Sequence, residues 1–99
     1  MEITEQIQEN EILIQVEGRI DTNTSRLVQD AVLDGFQKHV HIRLDLGEVD
    51  YISSAGLRVL LMGEKTAQAK GGSLVLIHIR PSVMEVLEMT GFAKVLHLA

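Results

Sequence analysis

The chain has 99 residues, 45% of them hydrophobic, which bounds it to one domain around one core and excludes a disordered chain. A formal charge of −5 with only 3% aromatic residues excludes the basic face and stacking platform of a non-specific nucleic-acid binder, and favours a basic or neutral protein partner. The chain has no cysteine, which excludes thiolate chemistry and disulfides, and no apolar run that reads as a secretory leader or approaches the ~20 residues of a membrane span, so a cytoplasmic location is expected.

Ile3, Glu5 and Ile7 alternate with Glu2, Thr4 and Gln6, which predicts a half-exposed first strand. After Glu9-Asn10, Ile12, Ile14 and Val16 alternate with Leu13, Gln15 and Glu17, and the short break predicts an antiparallel hairpin ended by Gly18. Asp21, Thr22, Asn23 and Thr24 are all helix-capping types. Behind them Leu27, Val28, Ala31, Val32 and Phe36 recur at helical spacing, predicting a helix from about Asn23 to Lys38. Val40, Ile42, Leu44 and Leu46 mark a third strand.

From Ser54 to about Lys70 the pattern is helical again. Gly56, Leu60, Gly63 and Ala67 share one face, and small residues there predict close packing against a sheet. Gly71-Gly72 stops this helix. Ser73 to Ile79 is nearly continuous apolar sequence and predicts a strand covered on both faces. Pro81 opens a third helix whose expected buried face is Val83, Val86, Leu87 and Thr90, with Gly91 as its cap and a short strand within Val95–Leu98. The order β-β-α-β-α-β-α-β implies a single small α/β domain over residues 1–99, with a mixed, mostly parallel sheet that begins with an antiparallel hairpin.

Signals for catalysis are poor. His39, His41, His78 and His97 lack metal-ligand spacing, so no metal is expected. No glycine-rich loop has P-loop or dinucleotide spacing, so no cofactor is expected. Ser54-Ala55-Gly56 lacks the leading glycine of a nucleophile elbow, so no catalytic residue is assigned and the chain is not expected to be an enzyme.

The stretch Asp50-Tyr-Ile-Ser-Ser-Ala-Gly-Leu-Arg58 carries the stronger signal. Ser53 and Ser54 follow a strand and begin a helix, where either hydroxyl can cap. A hydroxyl there is also placed to carry a phosphate, because the helix dipole favours negative charge. Arg58 lies one turn beyond Ser54, and helical side chains lean back toward the N-terminus, within reach of such a phosphate. Leu61 falls on the outer face with Arg58 and Lys65, as part of an expected interface.

The segments VEGRID, DLGEVDYISSAGLRVLL and GGSLVLIHIRPSVMEVLEMTGF, in this order, resemble the STAS domain of bacterial anti-sigma factor antagonists along nearly the whole chain. The resemblance implies binding of an anti-sigma factor that is itself a serine kinase with a histidine-kinase-like ATPase fold, with release of a sigma factor. It implies phosphorylation of a turn serine that breaks the complex, and a metal-dependent serine phosphatase that restores it. The family motif, commonly Asp-Ser-Ser/Thr-Gly, aligns its acceptor with Ser54, with Ser53 as the alternate. Ser53 stands where the motif has aspartate, and Ala55 where it has a second hydroxyl residue. The expected partner-binding residues are Asp21 and Thr24 after the hairpin, and Ser53, Gly56, Arg58 and Leu61 at the second helix. The alternative is a non-switching STAS adaptor subunit of an envelope lipid-transport or other signalling complex.

Overall fold

In the computed structural model, which describes residues 1–99, the first two alternating runs form the expected hairpin. β1 (Glu2–Ile7) pairs antiparallel with β2 (Ile12–Glu17), Ile3 opposite Val16 and Ile7 opposite Ile12. Then follow α1 (Ser25–Lys38), β3 (His41–Glu48), α2 (Ser54–Ala69), β4 (Ser73–Ile77), α3 (Pro81–Thr90), a single 3-10 turn (Phe92–Lys94) and β5 (His97–Leu98). Spatial order equals chain order, β1-β2-β3-β4-β5, and every pair after the first is parallel. Three successive right-handed crossovers therefore step the same way across the sheet and stack all three helices on one face.

That one-sided layering makes a single core. Ile12, Ile14, Ile42, Leu44, Leu74 and Leu76 project from the sheet into it, to meet Val28 and Val32 of α1, Leu60 and Ala67 of α2, and Val83 and Leu87 of α3. The small-residue face of α2 lies where its periodicity put it. A methyl group on Gly63 would sit 2.7 Å from Leu74 Cδ2 of β4, and one on Gly56 would sit 2.6 Å from Ile52 Cγ1. Burial of aliphatic side chains against these glycines offsets the roughly 1 kcal/mol of helix propensity that each costs.

Three expectations require correction. β4 is fully covered on one face only: Leu74 and Leu76 are buried among the helices, whereas on the opposite face Ser73 and Val75 are half-exposed beside His41 and Arg43 of β3 and only Ile77, at the strand end, is buried. A continuous apolar run did not report two-sided cover here, because the number of helices on each face is set by crossover direction. The same strand ends at Ile77 rather than Ile79. His78 adopts φ 57°, which breaks the extended backbone, and its Nδ1 lies 3.1 Å from Asp45 Oδ2. Thr90 is exposed, not part of the buried face of α3, and its hydroxyl donates back to the Val86 carbonyl at 2.7 Å.

β5 is only two residues long and has a second anchor. His97 Nδ1 lies 3.0 Å from Oε1 of Glu64, a side chain 3% exposed on α2, whose other oxygen accepts from Gln68 Nε2 at 2.9 Å. No helix is long and apolar enough to cross a membrane.

Candidate functional site: two zipped loops at the helix N-termini

The parallel pairing of β2 and β3 continues beyond both strands. Gly18, at φ 121°, turns the chain so that its N–H donates to the Glu48 carbonyl at 3.0 Å. Ile20 N–H then donates to the Tyr51 carbonyl at 2.9 Å, and Ser53 N–H donates to the Ile20 carbonyl at 2.8 Å. This isolated bridge, Ile20 beside Ile52, zips the loop after β2 to the loop after β3. The N-termini of α1 and α2 are thereby delivered side by side. Above the zipper the Arg19 guanidinium lies 4.1 Å from the centre of the Tyr51 ring, a contact worth about 0.5–1 kcal/mol at an exposed site.

On the first loop Asp21 organises the turn. Its Oδ1 accepts from the amides of Asn23 and Thr24, each at 2.9 Å, and its own N–H donates to Thr24 Oγ1 at 2.9 Å. Thr24 Oγ1 also lies 2.5 Å from the Arg19 carbonyl. The Thr24 amide above all, then the Thr24 hydroxyl, the Asn23 amide and the Arg19 charge, hold the Asp21 carboxyl below the usual aspartate range against an opposing effect of desolvation. α1 begins at Ser25 rather than Asn23, after a turn that the Asp21 side chain holds and whose backbone is closed by the Ser25 N–H donating to the Asp21 carbonyl at 2.9 Å.

On the second loop the two serines have separate tasks. Ser53 has extended backbone (φ −91°, ψ 174°), and its side chain accepts from the Gly56 N–H at 3.2 Å, so Ser53 is the cap of α2. Ser54 is the first helical residue, exposed, and its hydroxyl has no hydrogen-bond partner in the chain. The amides of Ser54 and Ala55 have no backbone acceptor, as expected for the first turn of a helix. Ser53→Ala should therefore cost about 1 kcal/mol of stability in urea unfolding, and Ser54→Ala should stay within about 0.5 kcal/mol of the parent. The reverse ranking would make Ser54 the cap.

The remaining expected residues divide by burial. Gly56 is buried against Ile20 and Ile52, so it acts on the surface only by letting the helix start seat on the zipper. Arg58 is exposed and forms no ion pair; it borders a groove between α1 and α2 together with Ala55, Ser25 and Arg26. Leu61, half-buried, lines the outer side of α2 with Arg58 and Lys65. It lies about 10 Å along the helix axis from Ser54. The structure thus brings Asp21, Thr24, Ser53 and Ser54 together through the zipper, with Arg58 linking that cluster to Leu61. Sequence reasoning missed Arg19 and Tyr51. Both stood inside the segments that carried the family resemblance, but cation–π stacking between them depends on a loop pairing that neither segment encodes alone.

The family model described as "Mlab, STAS domain" matches residues 3–98, and the chain belongs to the STAS domain family. Its relatives place it more narrowly, among the bacterial anti-sigma factor antagonists. It is 31% identical over 103 aligned residues to an anti-sigma-B factor antagonist of Listeria monocytogenes, covering 99% of this chain and 90% of that protein. It is 50% identical over 56 residues to BtrV of Bordetella bronchiseptica, described as a candidate anti-sigma factor antagonist; that match spans 57% of this chain and about half (48%) of the relative's length. Two solved structures share the fold. A candidate anti-sigma factor antagonist from Thermotoga maritima has a TM-score of 0.88 at 20% identity, over 97% of this chain and 84% of that one. The phosphorylated form of Bacillus SpoIIAA has a TM-score of 0.74 at 16% identity, over 99% and 91%.

Proposed function

We propose that the chain is an anti-sigma factor antagonist that works as a phosphorylation-controlled binding module. Unphosphorylated, it docks through the zipped loops and the start of α2 on an anti-sigma factor, which then lets go of its sigma factor. The anti-sigma factor is itself a serine kinase with a histidine-kinase-like ATPase fold. In the switching step the Ser54 oxygen attacks the γ-phosphorus of the kinase's ATP, ADP leaves, and the hydroxyl proton passes to a base on the kinase. A metal-dependent serine phosphatase hydrolyses the phosphoserine and restores binding. The chain contributes the nucleophile and the docking surface.

The observation that carries this reading is the exposed, unpartnered hydroxyl of Ser54 at the first position of a helix 16 residues long. A phosphate there faces two unpaired amides and the positive end of the helix dipole, which favours it by roughly 0.3–2 kcal/mol. Serine in place of the motif's aspartate at position 53 is compatible with this reading. Both residue types cap helices well, so the cap survives the exchange, while a carboxylate that would repel the phosphate is absent. Incubation with the cognate kinase and MgATP, followed by mass-spectrometric site mapping, tests the proposal. Modification of Ser54 is expected; modification of Ser53 alone, or of neither serine, would overturn it.

A second reading, a non-switching STAS adaptor of an envelope lipid-transport or other signalling complex, is favoured by the Ser-Ser-Ala turn, which departs from the antagonist motif on both sides of Ser54. Stable capture of transporter components together with an unmodified Ser54 would select it.

A further inference from the structure

The net charge of −5 conceals a local reversal of sign. The open face of the sheet is acidic, with Glu2, Glu17, Asp45 and Glu48 around one hollow. On the helical side, two adjoining hollows of about 390 and 450 Å³ share Arg58 and Met62 and form one trough along α2. Arg26, Arg58 and Lys65 line it, with no carboxylate among the lining residues. None of these three cations forms an ion pair, whereas Lys38, Arg43 and Arg80 each do. Asp30, one turn beyond Arg26, neither lines the trough nor pairs with it. The floor is aliphatic: Ala55, Leu61 and Met62, all half-buried. The trough starts beside Ser54 and runs to Ala69, about 20 Å at 1.5 Å per residue.

We infer that this trough receives an acidic amphipathic helix of the anti-sigma partner, with aliphatic residues seated on Leu61 and Met62 and carboxylates meeting Arg26, Arg58 and Lys65. The inference rests on the antagonist reading and names the chemistry of its partner. Charge complementarity selects an acidic occupant, because unpaired cations around an apolar floor attract carboxylates and disfavour a basic surface. Geometry selects a helix. The trough runs along α2, with α1 walling the half nearest Ser54, and no sheet edge borders it to which a strand could add. The floor has no aromatic side chain on which nucleic-acid bases would stack. The trough also couples to the switch: a phosphate on Ser54 would claim Arg58 and repel the acidic helix from the same end.

The test uses the full chain, 15N-labelled, titrated at low salt with two helical peptides. Both carry leucines at i, i+3, i+4 and i+7; one is flanked by glutamates, the other by lysines. The acidic peptide is expected to bind preferentially and to shift the amides of Arg58, Leu61, Met62 and Lys65. The double variant Arg58→Glu/Lys65→Glu should bind it about tenfold more weakly and gain affinity for the lysine peptide. Equal binding of the two peptides, shifts outside α1 and α2, or no shifts would overturn the inference. So would preferential binding of a single-stranded oligonucleotide, or shifts that follow protein concentration alone and so mark a second copy of the chain. The same titration with Ser54→Asp separates the two levels. Unweakened acidic-peptide binding there would sink charge control at this surface and leave the trough standing. Loss of charge preference in the parent would sink the trough and leave the site-mapping result untouched.

Discussion

Phosphorylation of Ser54 is expected to weaken the complex with the anti-sigma factor by about a thousandfold, a loss of roughly 4 kcal/mol. Three contributions produce it. The phosphate brings about −1.5 to −2 charges to a hydroxyl that otherwise has none. It must shed part of its water to enter the interface, at a cost of several kcal/mol. It also lies one helical turn from Arg58, one of the unpaired cations offered to the partner. Ser54→Asp should reproduce part of the effect, roughly ten- to hundredfold, because its single charge sits closer to the backbone and carries fewer acceptor oxygens. Ser54→Ala should bind as the parent does, since the Ser54 hydroxyl has no partner to lose and Ser53 keeps the cap. Calorimetric titration of all three forms into the purified anti-sigma factor reads these ratios. Equal affinities of the aspartate and alanine variants would remove charge as the basis of the switch. No rearrangement of the fold is needed, because all three contributions act at the exposed surface around Ser54.

The second large effect concerns the seat of the site. Gly56→Val is expected to destabilise the fold by about 3 kcal/mol. An added Cβ would sit 2.6 Å from Ile52 Cγ1 and 2.7 Å from Ile20 Cγ2. Neither isoleucine can swing into solvent, since Ile20 is 1% and Ile52 4% exposed. The gain in helix propensity on replacing glycine, roughly 1 kcal/mol at most and smaller for a β-branched residue, does not offset that overpacking. The two clashing residues are also the bridge that zips the loops, so relief of the clash must part Asp21 and Thr24 from Ser53. Urea unfolding with an unchanged slope should show the loss, and partner affinity measured well below the unfolding midpoint should fall with it. Stability within about 0.5 kcal/mol of the parent would show that the helix start moves freely over the zipper.

The patterns that sequence alone could settle were local and repetitive. Alternation in Ile12–Val16 and Ile42–Leu46 laid out two strands, and the spacing of Gly56, Leu60, Gly63 and Ala67 laid out the buried face of α2. The Asp21–Thr24 cluster marked a helix start because its capping chemistry lies within four residues. The ordered family segments identified the domain for a related reason: each is a short run whose meaning does not depend on distant contacts. Tertiary structure decided the rest. Ser53 and Ser54 are chemically alike, and only the backbone angles at the helix entry made one the cap and left the other exposed. The apolar run of β4 could not reveal that its second face is open over Ser73 and Val75, since all three crossovers turn toward the other side. Arg19 reached Tyr51, and Asp21 reached the serine turn, through hydrogen bonds between residues some thirty positions apart, as from Ser53 N–H to the Ile20 carbonyl. Net charge could not describe any one face of the fold for the same reason. It sums over the whole chain, whereas a partner meets one face, and folding placed Arg26, Arg58 and Lys65 together on that face while leaving Glu2, Glu17, Asp45 and Glu48 on the other.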